Sequence, residues 1–229
     1  TKLMKNNFIY FDNASTTPLS DNVLNIINST YKNYWHNPSS TYELGIKCFT
    51  YLEKIRSKIA YIFDAEQEDI IFTSGSSEST NIVFSNVFDT YKNGRLVISN
   101  VEHQATNICA NKLRKHRWDI CEWNVNNDGI LDISDIDKTL TKETNLASII
   151  WGQSEIGTIQ PVQLIGSKCK ELNIMLHLDG TQILSNGIFS WKDLKCDFLS
   201  LSAHKFGGPK GIGILLTKEN SRQILKNKD

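Results

Sequence analysis

The sequence predicts an α/β fold in which a mostly parallel seven-stranded sheet is flanked by helices. Short runs rich in β-branched and aromatic residues alternate with longer amphipathic stretches along the 229 residues, which is the pattern of successive β/α units. The predicted strands cover residues 70–73, 95–99, 119–123, 146–151, 174–179, 198–202 and 212–217. In such a sheet the turns that follow parallel strands gather at one edge, where ligands bind.

The clearest helical pattern covers residues 41–62, where apolar side chains recur at three- and four-residue steps. These side chains belong to Leu44, Cys48, Leu52, Ile55, Ile59 and Ile62. At the start of this helix the spacing Ser40-x-x-Glu43 predicts a capping box. Two more helices are expected to begin near Ser76 and near His103, each soon after a predicted strand.

Charge and hydropathy limit the classes of binding partner and the cellular compartment that the sequence predicts. Lys and Arg together number 25, as do Asp and Glu, so nothing predicts binding to nucleic acid or to a membrane surface. Residues 1–7 lack the apolar stretch of a secretory signal, and no segment is apolar for long enough to cross a bilayer. The five cysteines are Cys48, Cys109, Cys121, Cys169 and Cys196. Without a C-x-x-C pair they predict mostly buried thiols in the cytoplasm or another reducing compartment.

The first polar segment at the predicted edge is the hydroxyl-rich turn of residues 73–79. Backbone N–H groups at a helix start, together with the hydroxyls of Ser76 and Ser77, suit a phosphate dianion. The turn is not a Walker loop because no Gly-Lys-Ser/Thr follows, and Ser79 replaces the second glycine of a nucleophile elbow. An ordinary helix N-cap explains the same pattern when it is taken alone.

The second polar segment, residues 177–182, ends an apolar strand. The Asp179 carboxylate is expected to face the ligand edge, where it could hold a cation such as a protonated ring nitrogen. A turn or N-cap aspartate is the alternative. We predict no metal site on His177 and Asp179, on the expectation that the two side chains point to opposite faces of the strand.

The third polar segment, residues 198–211, runs from a buried strand into a glycine-rich turn. It places Ser202, His204 and Lys205 at the same edge as Asp179. Lysine is costly to bury unless its amine is paired or chemically used, and desolvation lowers its pKa enough for Schiff-base chemistry. A surface lysine at a strand end is the alternative for this segment alone.

Seven segments occur in one order along nearly the whole chain. They are Asp12-Asn13-Ala14-Ser15-Thr16-Thr17-Pro18, Asn37-Pro38-Ser39-Ser40, Phe72-Thr73-Ser74-Gly75-Ser76-Ser77-Glu78-Ser79, Val101-Glu102-His103, Glu155-Ile156-Gly157, His177-Leu178-Asp179-Gly180-Thr181-Gln182 and Ser202-Ala203-His204-Lys205. In these segments the chain resembles the cysteine desulfurases, which are fold type I enzymes of the class V aminotransferase group and use pyridoxal 5'-phosphate (PLP).

The resemblance implies a role for each matching residue. Lys205 would hold PLP as a Schiff base, and Asp179 would pair with the pyridinium nitrogen. His103 would stack on the ring, although a helix-capping or core histidine is the alternative, and Gln182 would donate to the phenolic oxygen. The predicted catalytic residues are therefore Lys205, His103 and Asp179. The phosphate cradle would consist of Ser76, Ser77, Ser202 and His204.

Two departures from the family pattern concern the substrate. Family members usually carry an asparagine where this chain has Ser154, and that asparagine reaches both the cofactor and the substrate carboxylate. We expect residues 1–20 to form an N-terminal arm and residues 21–229 to form the PLP-binding large domain, ending before the family's small domain. That small domain carries the sulfur-accepting cysteine and a substrate-binding arginine, and none of the five cysteines stands at the nucleophile's position.

The favoured hypothesis is a cysteine-desulfurase-like PLP enzyme, or its cofactor-binding domain. It would convert L-cysteine to L-alanine with sulfur transfer once a nucleophilic cysteine complements it. The implied partners are a second copy in a homodimer and a second polypeptide or sulfur-acceptor protein. Another PLP reaction, such as β-elimination or transamination, is one alternative, and a non-catalytic binding protein that retains the fold is another. The intact set of Lys205, Asp179, His103 and Gln182 argues against the last.

Overall fold

A computed structural model describes residues 9–226, so that residues 1–8 of the predicted arm and residues 227–229 lie outside the described part. The strands are β1 (Ile70–Thr73), β2 (Arg95–Ser99), β3 (Asp119–Trp123), β4 (Thr144–Ile150), β5 (Met175–Asp179), β6 (Phe198–Ser202) and β7 (Gly213–Thr217). The helices are α1 (Asp21–Asn33), α2 (Glu43–Phe63), α3 (Ser76–Tyr91), α4 (Gln104–Lys115), α5 (Ile136–Thr139), α6 (Val162–Leu172) and α7 (Glu219–Lys226). Short 3₁₀ turns cover Gln67–Asp69, Ile133–Asp135, Ile183–Asn186 and Ala203–Lys205.

The strands form one sheet in the order β1-β7-β6-β5-β4-β2-β3. Only β7 runs against the others, since it pairs antiparallel with both β1 and β6 while the remaining neighbours are parallel. The connection from β6 to β7 is a short turn without a crossover helix, so the chain has to return antiparallel. The prediction of a mostly parallel seven-stranded sheet flanked by helices is confirmed. Four of the predicted strands have the observed bounds. The strands β5 and β7 each begin one residue later than predicted, and β4 begins two residues earlier and ends one residue earlier.

Both faces of the sheet are buried, as alternate residues of β2 illustrate. Leu96 and Ile98 belong to a core cluster that contains side chains of α3 and α4. Val97 points to the other face and belongs to a cluster that contains side chains of α2 and α6. Helices on both faces leave the carboxyl edge of the sheet as the place where polar turns can meet.

The predicted capping box of α2 is wrong. The helix begins at Glu43, and Tyr42 is its N-cap without a side-chain capping bond. Ser40 belongs instead to the preceding turn, where its N–H donates to the Asn37 carbonyl at 3.1 Å. This turn packs against Gly45 so closely that an added Cβ there would lie 2.4 Å from the Ser40 carbonyl oxygen.

Within the part of the chain that the structure describes, no helix has both the length and the apolar character needed to cross a bilayer.

Candidate active site

A cavity of about 370 Å³ opens at the carboxyl edge of the sheet, beside the start of α3. All nine residues that the sequence nominates as site residues line it. They are Ser76, Ser77, His103, Ser154, Asp179, Gln182, Ser202, His204 and Lys205. These residues come from turns that are far apart in the chain, and the sheet brings them together; the role assigned to each stays a prediction.

Lys205 lies in the 3₁₀ turn directly after β6 and is partly buried. Its Nζ donates to the Ala14 carbonyl oxygen at 2.6 Å. Burial lowers the pKa of Lys205, while the carboxylates of Asp179 and Asp12 act in the opposite direction. The amine is therefore close enough to Asp179 for the charge of that carboxylate to act on it.

Residues 14–17 are hydrogen-bonded to residues that line the cavity. The Ala14 carbonyl that binds Lys205 also accepts from Gln182 Nε2 at 2.7 Å. The N–H and the hydroxyl of Thr17 donate to the His204 carbonyl at 2.8 and 2.9 Å, and the Gly207 N–H donates to Thr17 Oγ1 at 2.7 Å. The sequence reasoning missed Ala14, because a backbone carbonyl leaves no mark on residue type.

Asp179 is the last residue of β5 and is buried. Its Oδ1 accepts from the N–H of Thr181 at 3.0 Å and from the Thr181 hydroxyl. The turn-aspartate alternative is thus correct as a description of the local bonds. It does not exclude the other interpretation, because the same carboxyl group lines the cavity and is held there in one orientation.

His103 also serves two purposes. It is the N-cap of α4, where its Nδ1 accepts from the Ala105 N–H at 3.2 Å. The ring is exposed and lines the cavity. The helix-capping alternative is therefore correct, and the capping bond fixes the plane of a ring that stays accessible to a ligand.

The start of α3 forms the opposite end of the cavity. Gly75 is its N-cap with φ 155°, and no side chain caps the helix. The turn is thus the N-cap of α3, as the alternative has it, but no side-chain cap occupies the first N–H groups of the helix, which lie beside the hydroxyls of Ser76 and Ser77 on the cavity lining. Glu78 bends back, so that its Oε2 accepts from the Ser74 N–H at 2.5 Å.

A family model for "Aminotransferase class-V" matches residues 9–227. The chain belongs to the class V aminotransferase family. Among its relatives in that family, cysteine desulfurase IscS of Dictyoglomus turgidum is 38% identical over 216 residues, covering 93% of this chain and 55% of that protein. The mitochondrial cysteine desulfurase of Saccharomyces cerevisiae is 32% identical over 221 residues, covering 95% of this chain and 44% of that protein. The chain spans about half the length of the curated relatives it matches.

Solved structures of class V relatives have the same fold. A structure described as a NifS-like protein superposes with a TM-score of 0.89 at 32% identity, covering 92% of this chain and 59% of that chain. A structure described as SspA in complex with cysteine superposes with a TM-score of 0.88 at 29% identity, covering 93% and 62%. The resemblance to cysteine desulfurases and the PLP fold type I large domain are both confirmed.

The class V cysteine desulfurases are PLP-dependent, and the cavity fits PLP. It offers the amine of Lys205, the carboxylate of Asp179 and the imidazole of His103, with hydroxyl and N–H donors at the α3 end. Its volume lies within the range of cofactor pockets. Each polar part of PLP, namely the aldehyde, the ring nitrogen and the phosphate, thus has a chemically suitable partner.

Glu102, directly before His103, is a buried carboxyl group near the carboxyl edge of the sheet. Its Oε1 accepts from the Ser99 hydroxyl at 2.5 Å and from the Ile150 N–H at 2.6 Å, while Oε2 has no partner among residues 9–226. Burial raises the pKa of Glu102 to about 8, although the hydrogen bonds from Ser99 and Ile150 lower it. The nearby carboxylate of Asp179 adds to the rise. This raised pKa favours the protonated form of Glu102 at neutral pH. The motif marks His103 alone, so nothing in the sequence points to a protonated Glu102.

The expectation that His177 and Asp179 point to opposite faces is wrong. Residues two apart on a strand share a face, and the His177 ring packs edge-on against Phe84 of α3. Its two ring nitrogens are bonded to the hydroxyls of Ser148 at 2.8 Å and Ser200 at 2.7 Å, so neither is free to ligate a metal. Burial lowers the pKa of His177 to about 4. Among the described residues no group of three or more His, Cys, Asp or Glu side chains is arranged to hold a metal ion.

The five thiols all lie within residues 9–226 and all are free. Four are buried, and Cys121 is partly exposed. Burial raises the pKa of Cys169 to about 12 and also raises those of Cys109 and Cys196. None of the five lines the cavity, so no cysteine of the described chain is placed to act on a ligand there.

Proposed function

We propose that this chain is the cofactor-binding part of a PLP-dependent cysteine desulfurase that acts on L-cysteine. The observation that carries the proposal is the shared cavity of Lys205 and Asp179, which opens beside the uncapped start of α3. The cysteine desulfurase names of the relatives and the cysteine complex of SspA support the choice of substrate.

We propose the following roles for the residues that line the cavity. When bound, PLP supplies a carbonyl carbon that accepts an amine and a ring that takes up electrons from the substrate. Lys205 Nζ would hold the cofactor and, when free, would carry the proton of the substrate Cα. Asp179 would accept a hydrogen bond from the protonated ring nitrogen, and its bonds to Thr181 keep the carboxylate oriented. The first N–H groups of α3 would bind the phosphate with the hydroxyls of Ser76 and Ser77.

Sulfur transfer needs a thiol as well. A thiolate takes the sulfur of L-cysteine, which yields L-alanine and a persulfide on the acceptor without any net oxidation. No thiol of the described residues lines the cavity, so we propose that the acceptor thiol comes from outside them, on a second polypeptide or a sulfur-acceptor protein. Ser154 lines the cavity and stands where family members usually carry an asparagine that reaches the substrate carboxylate.

The first experiment tests cofactor binding. The purified chain, incubated with PLP, should develop the Schiff-base absorbance band, and Lys205→Ala should abolish it. Lys170→Ala is the matched control, because Lys170 is exposed on α6 and does not line the cavity. Absence of the band from the unsubstituted chain would refute the proposal in favour of a non-catalytic protein that retains the fold.

The second experiment tests the reaction. The loaded chain receives L-cysteine, with dithiothreitol as the acceptor thiol, and the products are separated by chromatography. Alanine together with sulfide supports desulfuration. Pyruvate would instead support β-elimination, the alternative that Ser154 leaves open.

We also propose a homodimer in a reducing compartment such as the cytoplasm. Helix α1 buries none of its residues, and Ile26 and Tyr31 on it are 61% and 76% exposed. Ile46 and Phe49 on α2 are also more than half exposed. Exposed apolar side chains on two neighbouring segments of the chain support an interface between subunits, since such side chains mark interaction sites where they form a patch. Light scattering should give twice the chain mass, and Phe49→Asp should reduce that mass to one chain.

A further inference from the structure

Lys210 is a cation of the cavity that neither the sequence motifs nor the proposed function assign. It lines the cavity in the turn between the Ala203–Lys205 segment and β7. This turn is held by two backbone bonds of Ala203, which donates to the Ile212 carbonyl at 3.0 Å and accepts from the Gly208 N–H at 2.9 Å. The backbone on both sides of Lys210 is therefore fixed.

The same turn lies against the start of α3. An added Cβ on Gly213, the first residue of β7, would lie 2.4 Å from the Cα of Gly75. An added Cβ on Gly75 would in turn lie 3.5 Å from Ser202 Oγ. Lys210, three residues before Gly213, lines the same cavity as Gly75, Ser76 and Ser77 at the start of α3.

The charges in the cavity leave Lys210 without a counterion. Among residues 9–226, no hydrogen bond or ion pair is recorded for its ammonium, whereas Lys205 donates to Ala14. The carboxylate of Glu78 on the same lining is turned toward the Ser74 N–H. Lys210 is close enough to His204 that its charge, after burial and the charge of Lys205, lowers the pKa of that imidazole.

We propose that the Lys210 ammonium binds the phosphate group of PLP, together with the N–H groups at the start of α3. This role rests on the proposed function, because it takes the cavity to be the PLP site. A phosphate dianion at a helix start, beside serine hydroxyls, is stabilised further by a charge-assisted bond from a cation. Salt screens the contact because the side chain is exposed.

The test compares Lys210→Gln and Lys210→Arg with the unsubstituted chain, and Lys170→Gln serves as the matched control. PLP affinity is measured by absorbance titration at low and high salt. Lys210→Gln should weaken PLP binding about tenfold at low salt, which corresponds to about 1.4 kcal/mol. The loss should be smaller at high salt, because salt screens the contact. Lys210→Arg should restore most of the affinity, and Lys170→Gln should leave it unchanged.

Two further ligands identify the group that Lys210 contacts. The affinity for pyridoxal, which lacks the phosphate, should be the same in Lys210→Gln and in the unsubstituted chain. Inorganic phosphate should compete with PLP less effectively in Lys210→Gln. Unchanged PLP affinity with weaker binding of L-cysteine to the loaded chain would overturn the proposal and assign Lys210 to the substrate carboxylate. If the unsubstituted chain binds no PLP, the proposed function fails, and direct calorimetric titration with inorganic phosphate still decides the role of Lys210.

Discussion

Glu102→Gln should remove a pH dependence of stability that the buried acid creates. The unfolded carboxyl has its ordinary pKa of 4.5, whereas burial raises the pKa of the folded group to about 8. Between these values the unfolded chain releases a proton that the folded chain keeps. Because the unfolded state then binds fewer protons, the free energy of unfolding falls as the pH rises.

The magnitude follows from the same two values. Each pH unit in the window changes the free energy of unfolding by at most about 1.36 kcal/mol, which gives a ceiling of about 5 kcal/mol over the whole range. His177 works in the opposite direction at lower pH, because burial lowers its pKa from 6.5 to about 4 and stability rises with pH between these values. The contribution of Glu102 is therefore separated best between pH 6.5 and 8, where it amounts to about 2 kcal/mol.

The assay is urea unfolding without cofactor, followed by tryptophan fluorescence at four pH values from 6.5 to 8. The Gln side chain keeps an oxygen that can accept from Ser99 and Ile150, so Glu102→Gln should fold and show the flatter profile. Glu68→Gln is the matched control, because Glu68 is exposed and its substitution should leave the slope unchanged. Equal slopes for Glu102→Gln and the unsubstituted chain would refute a protonated Glu102.

Three other substitutions probe the site and the core. Asp179→Asn removes a charge but little volume, so single-turnover alanine formation should slow about 100-fold or more, while titration should show a smaller change in PLP affinity. Gly213→Ala would press a methyl group against the Gly75 backbone, so both the unfolding temperature and the PLP affinity should fall. Calorimetry measures the unfolding temperature and absorbance titration measures the affinity. An unaltered PLP affinity would contradict the contact between the two backbones. Trp191→Ala empties a fully buried position and should cost about 3–5 kcal/mol in urea unfolding, unless the surrounding side chains collapse into the space.

The sheet could be predicted from sequence because each strand carries its own periodic signal. Buried parallel strands are short, largely apolar runs bounded by polar turns. The strands β2 and β6 have the predicted bounds. The ends of helices that depend on tertiary contacts were harder to predict. The turn before Glu43 appeared in the sequence as a capping box, but it packs against Gly45 instead.

The polar residues of the cavity could also be predicted, since each follows a strand. Asp179 ends β5, and Lys205 follows β6 within three residues. What the sequence could not reveal depends on distances through space. The Ala14 carbonyl meets an amine 191 positions away, and the protonation of Glu102 depends on burial by neighbours that the motif does not contain.

The reversed direction of β7 explains why Lys210 reaches the cavity at all. Parallel strands present their carboxyl ends to the ligand edge, so a residue at the start of a parallel strand lies at the opposite edge. Because β7 runs antiparallel to β1 and β6, its first residue, Gly213, lies at the ligand edge beside the turn after β1. This turn belongs to the third polar segment of the sequence, but Lys210 received no role there, because the direction of β7 is not visible in the sequence. The one strand that departs from the parallel arrangement is also the one that adds a cation to the site.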